Sequence, residues 1–281
     1  MTDEAETHEK PAVSETKDFL FFLIKLALFV FILRSFIVAP FNIPSESMLP
    51  RLLIGDYLIV GKWPYGYSRY SLPFSIPLIP GRVFPHTPQR GDVVVFKAPA
   101  NIEQDWIKRV IGLPGDIIEV RSGTVILNGK PIPKERIADF VIPVTQNMID
   151  ATDAKGGGSP CYSEAFEEVT AEGHFCRYPR FRETLPGGKS YNVLDLNPDG
   201  RNDNFAPMLV SEGHVFVMGD NRDNSEDSRV SAERGGVGLL PEQNLVGRAL
   251  FGVFSTDGSA NWFLPWTWFT AARWSRIGEG F

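Results

Sequence analysis

The chain is expected to be mainly β: a single N-terminal transmembrane helix, then a coiled-sheet, barrel-like β domain that carries an inserted β-rich subdomain. Three observations lead there. Phe19 to Val38 is almost continuously apolar. After residue 40 the apolar residues fall in short β-branched or aromatic runs, punctuated by Gly, Pro and Asp. No long amphipathic helical period follows the apolar segment.

The bulk composition narrows the partners. A chain of 281 residues holds one sizeable domain plus extras. Its net charge of −6 sets up no global field for polyanions. No local basic patch stands out either, so nucleic acid is not an expected partner. The two cysteines, Cys161 and Cys176, suit one disulfide if the domain is exported. There is no CxxC and no Cys/His cluster, and His8, His86, His174 and His214 are scattered. No metal and no cofactor is therefore expected.

Residues 1–17 are polar and acidic and read as a disordered tail. Residues 18–39 read as the transmembrane helix, because twenty helical residues rise about 30 Å, the thickness of a hydrocarbon core. Lys25 and Arg34 can reach the headgroups from within it. A cleavable secretory signal fits less well: the run is long, the leading tail is acidic, and Ile37-Val38-Ala39-Pro40 lacks a small-x-small site. Positive charge hardly decides orientation, with Lys10 and Lys17 on one side and Arg34 and Arg51 on the other. The cysteine pair favours an extracytoplasmic C-terminal part.

Residues 40–132 and 208–260 form the expected β core. Its strands are read at Tyr57–Val60, Val93–Phe96, Trp106–Ile111, Ile117–Val120, Val125–Leu127 and Val215–Met218. Asn128-Gly129 between two apolar runs signals a tight hairpin. Residues 133–207 hold both cysteines and read as the insertion, with a mobile Gly-rich loop near 151–160. Residues 261–281 carry Trp262, Phe263, Trp266, Trp268, Phe269 and Trp274, broken by Pro265. Such a density of aromatics suits the headgroup interface, the alternative being a strap on the domain's own core.

The chemistry centres on Ser45 and Ser47 in Pro44-Ser45-Glu46-Ser47-Met48. From Val38 the chain reaches Ser47 within about 30 Å, so anything Ser47 attacks must lie near the bilayer. A serine hydroxyl needs a base, and no histidine stands in a motif that would supply one. Trp106-Ile107-Lys108-Arg109-Val110-Ile111 alternates like a strand, which puts Lys108 on a face with Trp106 and Val110. Burial there would lower the amine's pKa, as a general base requires. The run Gly219 to Arg229 follows a strand and is dense in short side chains that fix turns. Its acids do not fall in calcium-loop positions.

Four segments in order resemble the signature boxes of bacterial type I signal peptidases. They are Pro44 to Met48 with Pro50, Gly55-Asp56 with Lys62, Lys108-Arg109 with Gly112 to Asp116, and the run 219–229. The resemblance implies a membrane-bound Ser-Lys serine endopeptidase that removes signal peptides from exported preproteins at the outer face of the cytoplasmic (inner) membrane. Its partners would be preproteins with small-x-small cleavage sites and the phospholipid bilayer. It assigns Ser47 as nucleophile and Lys108 as general base. Ser45 and the Ser47 N–H would form the oxyanion hole, and Ser225 would hold the lysine amine. Met48 and Pro50 would shape the site, with Arg109, Asp220, Asp227 and Arg229 in support. Ile43, Met48, Leu49 and Leu52 are expected to face lipid and to desolvate Lys108. Glu46 and Arg51 depart from the family's usual residues beside the nucleophile. Two rivals stand beside this reading: a protease dedicated to one protein of a secretion system, and a non-enzymatic tethered β domain.

Overall fold

The computed structural model describes residues 12–261 and 263–281, so the expected tail up to residue 11 and Trp262 lie outside the described residues. Helix α1 (Ala12–Ile32) continues into a π-helical turn, Leu33–Ile37. The segment Thr16–Ile37 has a mean hydropathy of 2.4 and is long and apolar enough to cross a membrane. Its side chains face outward, as a helix surrounded by lipid requires. Two boundaries differ from the expected 18–39. The helix already runs at residue 12, and Val38 and Ala39 are strand, Ala39 being buried in the domain. Ala39 precedes Pro40, which disfavours helical torsions and supplies no N–H. Apolarity alone does not distinguish a lipid-facing helix end from a core-facing strand.

The strands are β1 (Val38–Asn42), β2 (Asp56–Gly61), β3 (Tyr67–Ser68), β4 (Arg82–Val83), β5 (Val93–Ala98), β6 (Asn101–Gly112), β7 (Ile117–Arg121), β8 (Thr124–Leu127), β9 (Lys130–Pro131) and β10 (Lys134–Pro143). After α2 (Gln146–Asp153) come β11 (Glu167–Thr170), β12 (Gly173–Thr184), β13 (Ser190–Leu194), β14 (Phe205–Leu209), β15 (His214–Met218), β16 (Leu240–Pro241) and β17 (Leu245–Ser255), then helix α3 (Thr267–Ala271). Each expected strand run is a strand. The Asn128-Gly129 hairpin joins β8 to β9 with both residues at positive φ, 51° and 77°, as a type I′ turn demands.

The main sheet has seven strands in the order β1-β2-β17-β5-β6-β15-β16. Pro40 sits on its edge strand, where a missing N–H does least harm. A second sheet, β14-β7-β8-β9, packs through Ile118, Val120 and Val125 against Ile111 and Phe216 of the first. The insertion forms its own sheet, β10-β12-β11 with β13 beside β12, and Cys161 is disulfide-bonded to Cys176 on β12. Strand β14 pairs with β7, so the core sheets resume by residue 205, just before the expected boundary. Part of the loop expected near 151–160 belongs to α2.

The C-terminal segment straps the domain. Ala272 bridges to Thr256 and Gly280 to Phe251, while Arg276 pairs with Asp56 at 2.7 Å. Asp56 lies at the end of β2 away from α1, since Gly61 is the residue paired with Val38. The strap leaves Phe263, Trp266, Phe269 and Trp274 exposed. Beside α1 itself is Phe74, 97% exposed, in a groove with Leu26 and Val30.

Candidate active site

The serine segment is held by two separate cores. Met48 and Leu52 pack with Ile43, Leu58, Val95 and Ile107 beneath the main sheet, while Leu49 and Leu53 pack with Tyr178 and Leu194 of the insertion. Ile43, Met48, Leu49 and Leu52 are thus interior residues, not the lipid-facing surface expected from the sequence. They are buried because the short segment after β1 plugs the seam between two sheets, a non-local arrangement. Their apolar bulk still excludes water from the site, from inside rather than from the bilayer side.

Lys108 stands on β6 opposite Val94 of β5. Its side chain is 4% exposed, and Nζ lies 3.0 Å from Ser47 Oγ and 3.0 Å from the Ile107 carbonyl. The Trp106 ring centroid is 5.4 Å from Nζ, as the shared strand face predicts. Burial lowers the amine from its ordinary 10.5 to about 8, against the opposing pull of Asp227, Asp220 and Glu226. Removing water raises the fraction of unprotonated lysine, and the packing of the serine segment against β6 sets that amine at hydrogen-bond distance from a hydroxyl. That arrangement can move a proton.

Ser45 Oγ is 3.5 Å from Ser47 Oγ. Among the described residues nothing accepts from the Ser47 N–H, so both groups remain able to bind a developing oxyanion. These residues line a cleft of about 490 Å³ with Ile43, Trp106, Ile107 and Lys108. On one side of the cleft β6 pairs with β15 only from Arg109 onward, leaving the edge at Gln104–Ile107 unpaired.

The run 219–229 closes the other side. Asp220 receives Arg109 in a two-pronged pair at 2.8 and 2.6 Å, and Arg109 stacks over Tyr191 at 4.3 Å. Asp227 receives Arg229 at 2.9 Å and the Gly219 N–H at 3.0 Å. Burial pushes the Asp227 carboxyl up, but Arg229 and the N–H donors outweigh it and hold the group below its ordinary value. The supporting acids and arginines therefore pair with one another as neutral units and fix the loop. Ser225 is buried beside the site, but its Oγ makes no hydrogen bond among the described residues, and the Lys108 bonds go to Ser47 and Ile107. Pro50 lies in the segment just after Ser47, lining a separate cleft with Arg109.

Three participants were not singled out from the sequence. Asn221 donates its N–H to the Ser47 carbonyl at 3.1 Å and its side-chain amide to the Glu46 carbonyl at 3.2 Å. Gly219 packs so tightly that an added Cβ would stand 2.3 Å from Ser225 Oγ and 2.6 Å from the Ser47 carbonyl. Glu183, from the insertion, pairs with Arg222 at 2.6 Å and locks the loop from behind. Gly219 and Asn221 lie inside the box 219–229, which marked the loop but not their contacts, and nothing in the sequence marked Glu183.

The sequence profile of one family, described as signal peptidase, peptidase S26, matches residues 16–254. The chain belongs to that family. The site residues all fall inside the matched stretch, and this is the family that the four boxes led us to expect. Among relatives, signal peptidase I of Rickettsia conorii is 34% identical over 264 residues, covering 91% of this chain and 85% of its own. Signal peptidase I of Rickettsia typhi is 36% identical over 243 residues, covering 84% and 78%. A crystal structure of a signal peptidase I from Enterococcus faecalis matches 58% of this chain and 97% of its own, at 24% identity and a TM-score of 0.29. The S26 family is one of peptidases, so the chain is a serine endopeptidase and the tethered non-enzymatic domain is set aside.

Proposed function

We propose that this chain is a membrane-anchored signal peptidase in which Lys108 is the general base for Ser47. The observation that carries the reading is the buried amine 3.0 Å from the serine hydroxyl. The unprotonated Lys108 Nζ takes the Ser47 proton as Oγ attacks the scissile carbonyl, giving a tetrahedral oxyanion. The Ser47 N–H and the Ser45 hydroxyl donate to that oxyanion. The Lys108 ammonium returns the proton to the departing amine, leaving an acyl group on Ser47. A water molecule, deprotonated by the same amine, then releases the acyl group.

The substrate lies extended along the unpaired edge at Gln104–Ile107 and adds a strand to it, with small side chains fitting the cleft beside Ser47. Exported preproteins with small-x-small sites suit this geometry. The short path from α1 to Ser47 keeps the attack close to the bilayer. The Cys161–Cys176 disulfide and the exposed Phe74 beside α1 support one span in the cytoplasmic membrane, with the domain on its outer face against lipid. Ser225 closes the site behind the dyad and holds the lysine amine once substrate rearranges the hydrogen bonds.

The test is cleavage of a purified preprotein bearing an Ala-x-Ala site by the full chain in detergent, compared with Ser47→Ala and Lys108→Met. Both variants should be inactive. If Lys108→Met cuts at the wild-type rate, the lysine-base assignment is wrong. Unrelated preproteins in the same assay distinguish a general processing enzyme from one dedicated to a single substrate.

A further inference from the structure

Behind the catalytic loop, away from the dyad, three aspartates converge: Asp195, Asp203 and Asp223 each bring a carboxylate oxygen within 4.8 Å of the others. Their other contacts are unusual. Asp203 is 1% exposed; its Oδ2 accepts the Gly200 N–H at 2.7 Å, while Oδ1 is buried with no partner among the described residues. Asp195 repeats the pattern, one oxygen bonded to Lys134 Nζ and Oδ1 buried without a donor. Asp223 Oδ2 accepts the Leu196 and Asn197 N–H groups at 2.6 and 3.0 Å. Buried acceptors without donors are rare and call for an explanation.

The charges do not balance locally. Lys134 is the cation bonded to the trio. Arg229, whose field reaches Asp203, is committed to Asp227 and to the Asn202 and Arg222 carbonyls. The space between the carboxylates is kept open by Gly200, where an added Cβ would stand 2.1 Å from Asp223 Oδ1 and 3.1 Å from Asp203 Oδ2. Gly200 also closes the Asn197–Gly200 turn, donating its N–H to the Asn197 carbonyl at 3.0 Å, which fixes the loop that carries Asp203.

We propose that Asp195, Asp203 and Asp223 form a calcium site that clamps the returning end of the insertion to the catalytic loop. The donors are all carboxylate oxygens with neither nitrogen nor sulfur among them, which selects a hard cation. Calcium takes six to eight oxygens in flexible geometry, so nearby carbonyls and water complete the shell. The clamp has a clear mechanical route to the site. Leu194 exchanges backbone hydrogen bonds with Asp220 and Arg222, both at 2.9 Å, and Ser225 stands two residues after Asp223 in the same loop. Asn221 in the same loop holds the Ser47 carbonyl. No single sequence window shows the site, because Asp223 lies on a different segment from the other two.

The experiment uses the full chain in detergent, stripped of metal by a chelator, then titrated with CaCl₂ by calorimetry and melted with and without it. One saturable calcium should bind the wild type and raise its Tm by about 3 °C at ten times the Kd. Asp203→Asn and Asp223→Asn should lose both responses. Asp199→Asn, exposed in the same loop but outside the trio, should keep them. If the wild type shows no saturable binding, or if Asp199→Asn loses the response as fully as Asp203→Asn, the site does not exist. The rival is a proton shared among the three acids. It predicts that Asp203→Asn raises Tm without calcium while the wild type binds none, and that result overturns the proposal. Should Asp203→Asn not fold, the wild-type titration and Asp223→Asn decide.

Discussion

Lys62 and Lys108 are both buried, and burial lowers both amines from 10.5 to about 8, yet they occupy two different kinds of groove. Lys108 points into the cleft between the serine segment and β6, at hydrogen-bond distance from Ser47. Lys62 lines the larger groove beside α1, with Arg34 and Leu72, and its ammonium stands 5.8 Å from the centre of the Phe41 ring. Desolvation prepares both lysines equally, so a lowered pKa does not make a catalyst. What separates them is a hydroxyl at the right distance, placed there by Met48 and Leu49 from two different cores.

Breaking the dyad gives the largest expected effect. Lys108→Met should lower kcat/KM for preprotein cleavage by roughly 10⁴ or more, read in a discontinuous cleavage assay. The same variant should be more stable than wild type. The folded-state pKa lies below the ordinary value, so the protonated amine disfavours folding at neutral pH, and that cost disappears only above about pH 10.5 where both states are neutral. The shift corresponds to about 3 kcal/mol, which a thermal melt at pH 7 should reveal as a raised Tm.

Disturbing the wall behind the serine comes next. Gly219→Ala should cost roughly 10² in kcat, because its Cβ would push the Ser47 carbonyl and Ser225 apart. The pH dependence of the wild type is gentler: kcat/KM should fall about tenfold per unit below about pH 8, as the base becomes protonated. Lys62→Met sharpens the comparison with the smallest effect on rate. It should stay within about threefold of wild type and leave the acid limb of the pH profile in place, since no reacting atom lies near Lys62.

Much of this was legible from residues alone, and the reasons are local. Aromatic and β-branched residues mark Trp106–Ile111 as a strand, and Asn128-Gly129 marks its hairpin, because each depends on neighbours along the chain. The pairing of Lys108 with Ser47 spans 61 positions and was readable only through the ordered boxes. Features set by non-local packing escaped. Ile43 to Leu52 look like a surface apolar stripe until two sheets close over them. The strap's Arg273 and Arg276 pair with Asp56, more than two hundred residues away, and the exposed Phe74 lies in a loop without periodicity.

The central claim is that an unprotonated amine at position 108 receives the proton from Ser47. The most direct test is Lys108→Cys followed by alkylation with 2-bromoethylamine, which rebuilds a lysine-like side chain with a more acidic amine; the two native cysteines are held in their disulfide. The cysteine variant should be inactive, alkylation should restore cleavage, and the acid limb of the restored activity should move to lower pH. Restored activity with an unmoved acid limb, or activity in the unalkylated variant, would contradict the account.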